Sequence, residues 1–400
     1  MTKVLFCFCG SLLCSVVMGY AQLKPLDDGN YMEQRAGLGH SIEIFEHQKT
    51  ATVAFLGGSI TYNRGWRNKV SADLEKRFPE TKFHFIAAGI PSLGSLPHAF
   101  RLKRDVLDSG KVDLLFLEAA VNDEVNGTDS LSQVRALEGI IRHAKLNNPK
   151  MDIILMSFAD PDKTSTYHKG KVPLSVKNHE LVAGHYGLPS INLAKAVSDR
   201  LANQEFSWEH DFKDLHPSEF GQELYFKAIQ RLLTDAISVQ QVKGVSSNLS
   251  LAKALNDGNF SKGQYVDIQN ARIKTGWVLQ QDWKPEDGKN TRKGFVHIPM
   301  LCATEAGSEL SLNFVGNAIG ISIVSGPDAG ILSYSIDEGP EQQIDLYTQW
   351  SKSLHLPWYL LLGSNLKAGK HQLRLKISEA KNINSKGNAC RIAHFLLNAG

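Results

Sequence analysis

Ser59, Gly94, Asn122 and His216 stand at the ends of four separate chain segments and together hold the parts of an acyl-transfer site. A serine hydroxyl is a poor nucleophile until a base within hydrogen-bond reach takes its proton, and histidine serves as that base near neutral pH. The tetrahedral intermediate formed by its attack needs fixed donors around its oxyanion. The Ser59 N–H, the Gly94 N–H and the Asn122 side-chain amide can supply three, each worth typically about 3–4 kcal/mol of transition-state stabilisation. Glycine suits position 94, because a backbone N–H reaches a substrate only where no side chain intrudes.

These residues must be positioned by elements that the hydrophobic pattern outlines. Residues 52–56, Thr-Val-Ala-Phe-Leu, read as a short buried strand. Gly57 and Gly58 end it, Ser59 follows at the mouth of the turn, and a helical pattern begins near Trp66. A serine at such a turn lies outside the carboxyl end of a strand, where open α/β sheets bind ligands. The turn is not a G-x-S-x-G elbow, since Thr61 stands two residues after the serine. Further strands are expected at 83–87, 114–118, 153–157 and 190–193, and helices at 66–78, 96–107, 131–146, 174–186 and 218–237. In the third helix Val134, Leu137, Ile141 and Ala144 recur at helical spacing before Asn147-Asn148-Pro149 stops it. Such alternation predicts right-handed βαβ units, and hence a three-layer domain with a parallel sheet between helices.

The turns after these strands carry the chemistry. Gly94 lies in the 88–95 loop, Asn122 in Ala119-Ala120-Val121-Asn122-Asp123, and His216 in Asp211-Phe212-Lys213-Asp214-Leu215-His216-Pro217. Singly, each has an ordinary reading: glycines for a turn, Asn-Asp ending a strand, Pro opening a helix. Jointly, they fall on one edge of one parallel sheet and converge on a shallow cleft.

From 265 onward the pattern changes to short β-type runs at 308–314, 319–324, 331–336, 371–377 and 389–397, separated by Gly, Pro, Asp and Asn. Leu310, Leu312 and Phe314, and again Leu373, Leu375 and Ile377, alternate with polar residues as half-buried antiparallel strands do. Roughly eight such runs predict a β-sandwich of jelly-roll type. The expected organisation is a leader at 1–21, a lead-in segment at 22–48, an α/β domain at 49–240, a linker at 241–264 and a β-sandwich at 265–400. Trp277, Trp283, Trp350, Trp358 and Tyr359 in the second half are candidates for stacking on sugars, although large aromatics are mostly buried as core.

Composition narrows the classes. The apolar fraction of 42% and charged fraction of 21% are those of a globular protein, and a net charge of +3 argues against nucleic acid or an anionic membrane surface as partner. Met1-Thr2-Lys3, an apolar run to Met18 and Gly19-Tyr20-Ala21 read as a secretory signal peptide cut before Gln22, so the mature chain is expected in the periplasm or outside the cell, without membrane insertion. Cys302 and Cys390 then remain as a pair that an exported protein can join. No C-x-x-C, H-E-x-x-H or EF-hand pattern marks a metal site.

With these residues in hand, the chain resembles the SGNH hydrolase superfamily, also called GDSL-type esterases. Gly57-Gly58-Ser59-Ile60-Thr61 is similar to its first block, Gly94 to the second, Val121-Asn122-Asp123 to the third and His216-Pro217 to the last. The resemblance spans about residues 49–236 and implies a flavodoxin-like sheet, no cofactor and hydrolysis of esters, often acetyl groups on sugars. The second half resembles the β-sandwich modules of exported carbohydrate-active enzymes. One position departs: the family has Asp three residues before the histidine, where this chain has Lys213. Asp214 is the first choice for the missing acid and Asp211 the alternative, and a backbone carbonyl completing a Ser–His dyad is the third. The expected substrate is an acylated glycan or small sugar ester. Transfer of the acyl group to a sugar hydroxyl, or glycan binding without catalysis, are the alternatives. No apolar lid or amphipathic membrane helix suggests a lipase.

Overall fold

The computed structural model describes residues 24–243 and 250–399; the leader read at 1–21 lies outside them. The α/β half begins with a short edge strand β1 (Met32–Glu33) and helix α1 (Gly39–His47). Then come β2 (Thr50–Gly57), the single turn α2 (Ser59–Tyr62), α3 (Trp66–Arg77), β3 (Lys82–Gly89) and α4 (Ser95–Asp105). They are followed by β4 (Leu114–Glu118), α5 (Ala120–Val125), α6 (Ser130–Asn147), β5 (Asp152–Met156), α7 (Pro161–His168) and α8 (Leu174–His185). Strand β6 (Ser190–Ile191), α9 (Leu193–Ala202) and the long α10 (Glu219–Lys243) complete it.

The strands lie in the order β1-β6-β5-β4-β2-β3. Five are parallel, in the flavodoxin-like order, and β1 adds an antiparallel edge that the sequence pattern did not reveal. Period-2 alternation explains how β2 serves both faces: Ala54 and Leu56 pack into one apolar layer with α4 and α6, and Val53 and Phe55 into the other with α3 and α10. The chain leaves β2 for β3 on one side and returns to β4 on the other. Ser59 and Asn122, at the carboxyl ends of β2 and β4, therefore flank the crevice where the strand order reverses.

The second half is an antiparallel sandwich. One sheet contains β7 (Gly263–Val266), β9 (Val278–Trp283), β10 (Ile298–Ala303), β12 (Ala318–Ser325), β15 (Leu356–Gly363) and β17 (Cys390–Asn398). The other contains β8 (Arg272–Thr275), β11 (Glu309–Gly316), β13 (Ile331–Ile336), β14 (Gln342–Asp345) and β16 (Gly369–Ile377). Leu310 pairs with Leu375 and Leu312 with Leu373, and all four point into the sandwich core, as their alternation predicts. Strand β12 instead is buried at every residue. Its sheet is covered on both sides: Ile319, Ile321 and Ile323 face the second sheet, and Ala318 and Val324 lie in the layer shared with the α/β half.

The two halves share one apolar layer in which Leu96 and Phe100 of α4 join Phe260, Met300, Tyr359 and Leu396. Arg104 lies 4.5 Å over the Tyr265 ring and 2.9 Å from the His394 Nε2. The connecting segment is held as well: Leu255 and Asn256 donate backbone N–H bonds to Glu138 on α6. Cys302 and Cys390 are both unbonded thiols, one facing the interdomain layer and the other the sandwich core. Among the described residues no helix is long and apolar enough to cross a membrane.

Candidate active site

The Ser59 turn is built by close approach. A Cβ on Gly57 would strike the Thr61 hydroxyl, and one on Gly58 would occupy the place of the Asn122 amide nitrogen. Glycines at both positions let the serine stand at the first residue of α2 with Asn122 directly beside it. The buried Arg101 of α4 donates to the Gly57 and Ala88 carbonyls, tying the last residues of β2 and β3 together under this turn.

His216 reaches Ser59 from the loop before α10. Its Nε2 lies 2.8 Å from the Ser59 Oγ, within hydrogen-bond distance of the proton it would take. Asp214 Oδ1 accepts the His216 backbone N–H at 2.7 Å and stands 3.5 Å from the ring Nδ1. The loop does not run extended, so the usual alternation of side chains fails here. Lys213 has φ +79° and ψ −55°, a rare backbone conformation for a non-glycine residue, and the Asp214 turn follows at once. That double bend carries the Asp214 carboxylate to the histidine side. Asp211 faces elsewhere: its carboxylate accepts the Ser207 N–H at 2.8 Å and hydroxyl at 3.1 Å, closing the turn Trp208–Phe212.

Ser59 and Asn122 line one cleft, and Gly94 packs directly against Asn122 and Asp123 at the edge of the adjoining groove. The Ser59 and Gly94 N–H groups donate to no acceptor among the described residues, and the Asn122 side chain makes no hydrogen bond there either. Gly94 is held by α5 from below. Asp123 Oδ1 accepts the Ser95 N–H at 2.8 Å and its hydroxyl at 2.9 Å, and would collide with any Cβ on Gly94. Asn126 donates to the Ser92 carbonyl at 3.0 Å. Asp123 and Asn126 were not among the residues expected from sequence. Their signal was only that they follow Asn122 by one residue and by one helical turn.

Beneath the cleft lie charges that touch no solvent. Burial pushes the Glu118 and Asp123 carboxyls up to about 7, with Lys163 opposing the rise at both. Lys163 is itself fully buried and paired with Asp160 at 2.5 Å. These groups support the turn rather than face the cleft: Glu118 Oε1 accepts the Val121 N–H at 3.1 Å, one residue before Asn122.

The cleft above Ser59 has a volume of about 510 Å³, and both halves line it. The α/β half contributes Ser59, Tyr62, Asn122 and His216; the sandwich contributes Arg292, Trp350, Leu354 and Leu356. The second half therefore roofs the site. Of the aromatics singled out in sequence, Trp277, Trp283 and Tyr359 are buried as core or interface, and Trp350 is exposed in the cleft. Trp358 is half-buried in an adjoining groove that also contains Gly94.

Comparison with known proteins places these features. Residues 55–224 match the GDSL-like Lipase/Acylhydrolase family, the segment that carries Ser59, Gly94, Asn122 and His216. No curated protein matches the chain. Among solved structures, a two-domain esterase active on acetylated mannans superposes with a TM-score of 0.76 at 18% identity, covering 93% of this chain and 98% of its own. That structure was co-crystallised with mannopentaose, and a second structure of the same esterase gives the same values. At this identity the likeness concerns the fold, and it extends over both halves.

Proposed function

We propose that this chain, whose α/β half is a GDSL-like acylhydrolase domain of the SGNH superfamily, is a serine esterase that removes O-acyl groups, most often acetyl, from a carbohydrate outside the cytoplasm. The observation that carries the reading is the 2.8 Å contact between Ser59 Oγ and His216 Nε2. It lies in a cleft lined by Ser59 and Asn122, with Gly94 beside Asn122, and these three donors have no partner among the described residues. A site that only bound glycans would have no need for a base on its serine.

In this mechanism His216 takes the hydroxyl proton as Ser59 Oγ attacks the acyl carbonyl. The negative charge that develops on the carbonyl oxygen is met by the two N–H groups and the Asn122 amide, already in place before the reaction. His216 then returns its proton to the departing sugar oxygen, leaving an acyl-enzyme on Ser59. Water, deprotonated by the same imidazole, releases the acid and restores the serine. Asp214, beside Nδ1, favours the imidazolium formed in each step. A sugar hydroxyl in place of water would make the same site a transferase. The open cleft gives water direct access to the serine, which favours hydrolysis.

A carbohydrate substrate is supported by the polar lining of Asn63, Ser92 and Asn126 and by the exposed indole of Trp350, since sugars combine many hydroxyls with an apolar ring face. The test is release of acetate from acetylated glycans and from 4-nitrophenyl acetate, compared with longer acyl esters. Activity should fall steeply with acyl length, and Ser59→Ala should abolish it while leaving the melting temperature within a few degrees of wild type. A Ser59→Ala protein that kept more than a small percentage of the rate would exclude the serine mechanism.

A further inference from the structure

Among the residues lining the catalytic cleft, Arg292 and His216 alone carry basic side chains, and no aspartate or glutamate lines it. Arg292 sits in the connection between β9 and β10 and comes to the cleft from the sandwich, far in sequence from the serine it overlooks. Its guanidinium makes no ion pair or hydrogen bond with any described residue, and its Nε is buried without a partner. An arginine so placed is unusual. Other buried or half-buried arginines of this protein are committed: Arg101 to Asp105 at 2.7 Å, Arg200 to Asp28 at 2.9 Å, and Arg391 to Asp328 at 2.6 and 2.8 Å.

An unpaired buried N–H costs free energy that folding alone does not return. A guanidinium is donor-only, permanently charged and shaped to grip a planar carboxylate with two parallel bonds. It shares its cleft with a histidine that must itself become positive during catalysis. A negative group on the substrate would satisfy the arginine and relieve that repulsion in one step. We propose that the substrate is an acidic glycan, acylated on or next to a sugar bearing a carboxylate, and that Arg292 is the specificity-determining residue that binds this carboxylate across the cleft from Ser59. The inference rests on the esterase reading above and deepens it by naming the substrate class.

The test uses the full-length protein and two acetylated oligosaccharides of matched length, an oligogalacturonate and a neutral manno-oligosaccharide. Wild type should show the higher kcat/KM on the acidic substrate, and added salt should erode that preference. Arg292→Gln should lower the acidic-to-neutral ratio of kcat/KM by about 10- to 100-fold, the scale of a lost hydrogen-bonded charge pair. Arg292→Lys, which keeps the charge and loses the fork, should fall between. Binding provides a second readout that needs no turnover. Calorimetry of unacetylated oligogalacturonate against Ser59→Ala, and against Ser59→Ala with Arg292→Gln, should show affinity lost with the guanidinium. A wild type that prefers the neutral substrate, or an Arg292→Gln protein that weakens on both substrates equally, overturns the proposal while leaving the esterase reading intact. Failure of wild type to hydrolyse any acetyl ester removes the esterase reading instead, and the calorimetry then decides the carboxylate site by itself.

Discussion

Replacing Asp214 by asparagine separates two roles that one carboxylate plays. Its Oδ1 accepts the His216 N–H at 2.7 Å, which shapes the loop, and stands 3.5 Å from the ring Nδ1, facing the positive ring that the proposed mechanism forms. Asparagine keeps an oxygen for the first contact and removes only the charge. At 3.5 Å the attraction is about 1 kcal/mol at the dielectric constant of water and about 5 kcal/mol at an effective value near 20. The side chains of His216 and Asp214 are 44% and 64% exposed, so the lower part of that range applies. A cost of about 1–3 kcal/mol corresponds to a loss of about 5- to 150-fold in kcat. That is far less than the roughly ten-thousandfold cost of the same change in a buried triad. The assay is kcat and KM on 4-nitrophenyl acetate at low and high ionic strength. The ratio of wild type to Asp214→Asn should shrink as salt screens an exposed pair. Asp214→Ala should be worse than Asp214→Asn, because it also loosens the loop. A loss of several thousandfold that ignores salt would mean that the pair is buried during turnover. A change under twofold would leave His216 oriented by a backbone carbonyl, the dyad form.

Other expectations follow from the same geometry. Asn122→Ala should lower kcat on 4-nitrophenyl acetate by about 100- to 1000-fold with KM nearly unchanged, as for a donor used mainly in the transition state; a raised KM with constant kcat would make Asn122 a binding residue. Ending the chain near Ser246 uncovers Leu96, Phe100 and Leu102 on α4 and removes Trp350 and Arg292 from the cleft. We expect that product to be poorly soluble and impaired even on small aryl esters; a soluble, fully active α/β half would show that the sandwich is dispensable for the site. Glu118 and Asp123 are held up to about 7 by burial, so the stability linked to them is complete below about pH 4 and is lost as pH rises to about 7. The urea midpoint of wild type relative to Glu118→Gln should therefore decline between about pH 4 and 7 and level off above; a difference constant across that range would refute the assignment for Glu118.

What the sequence made legible, and what it hid, follows the range over which each signal acts. A buried strand such as 52–56 announces itself because both faces are covered and the run is short and apolar. Ser59, Gly94 and Asn122 are legible because each lies in a turn following a strand, and parallel topology brings such turns to one edge. His216 instead comes from the loop between α9 and α10 and was legible from the His-Pro pair that opens the last helix. The Lys213 bend was hidden, since a positive φ at lysine has no compositional signature, and reasoning from an extended loop sends Asp214 the wrong way. Strand β1 was hidden because two residues have no period. Arg292 was hidden, and Trp350 could not be told from the other candidate aromatics, for a different reason. Their meaning depends on how the sandwich docks, and that is decided by an apolar layer assembled from α4, Phe260 and the outer face of β10, β12 and β17. The docking face is muted in a strand like β12, whose eight residues are all buried although Ala318, Gly320, Ser322 and Val324 alternate with isoleucines as a half-exposed strand would. That outer face of small residues is buried in the layer shared with the α/β half. Its burial argues that the sandwich was selected together with the α/β half, as the second wall of one cleft, rather than attached to a domain already complete.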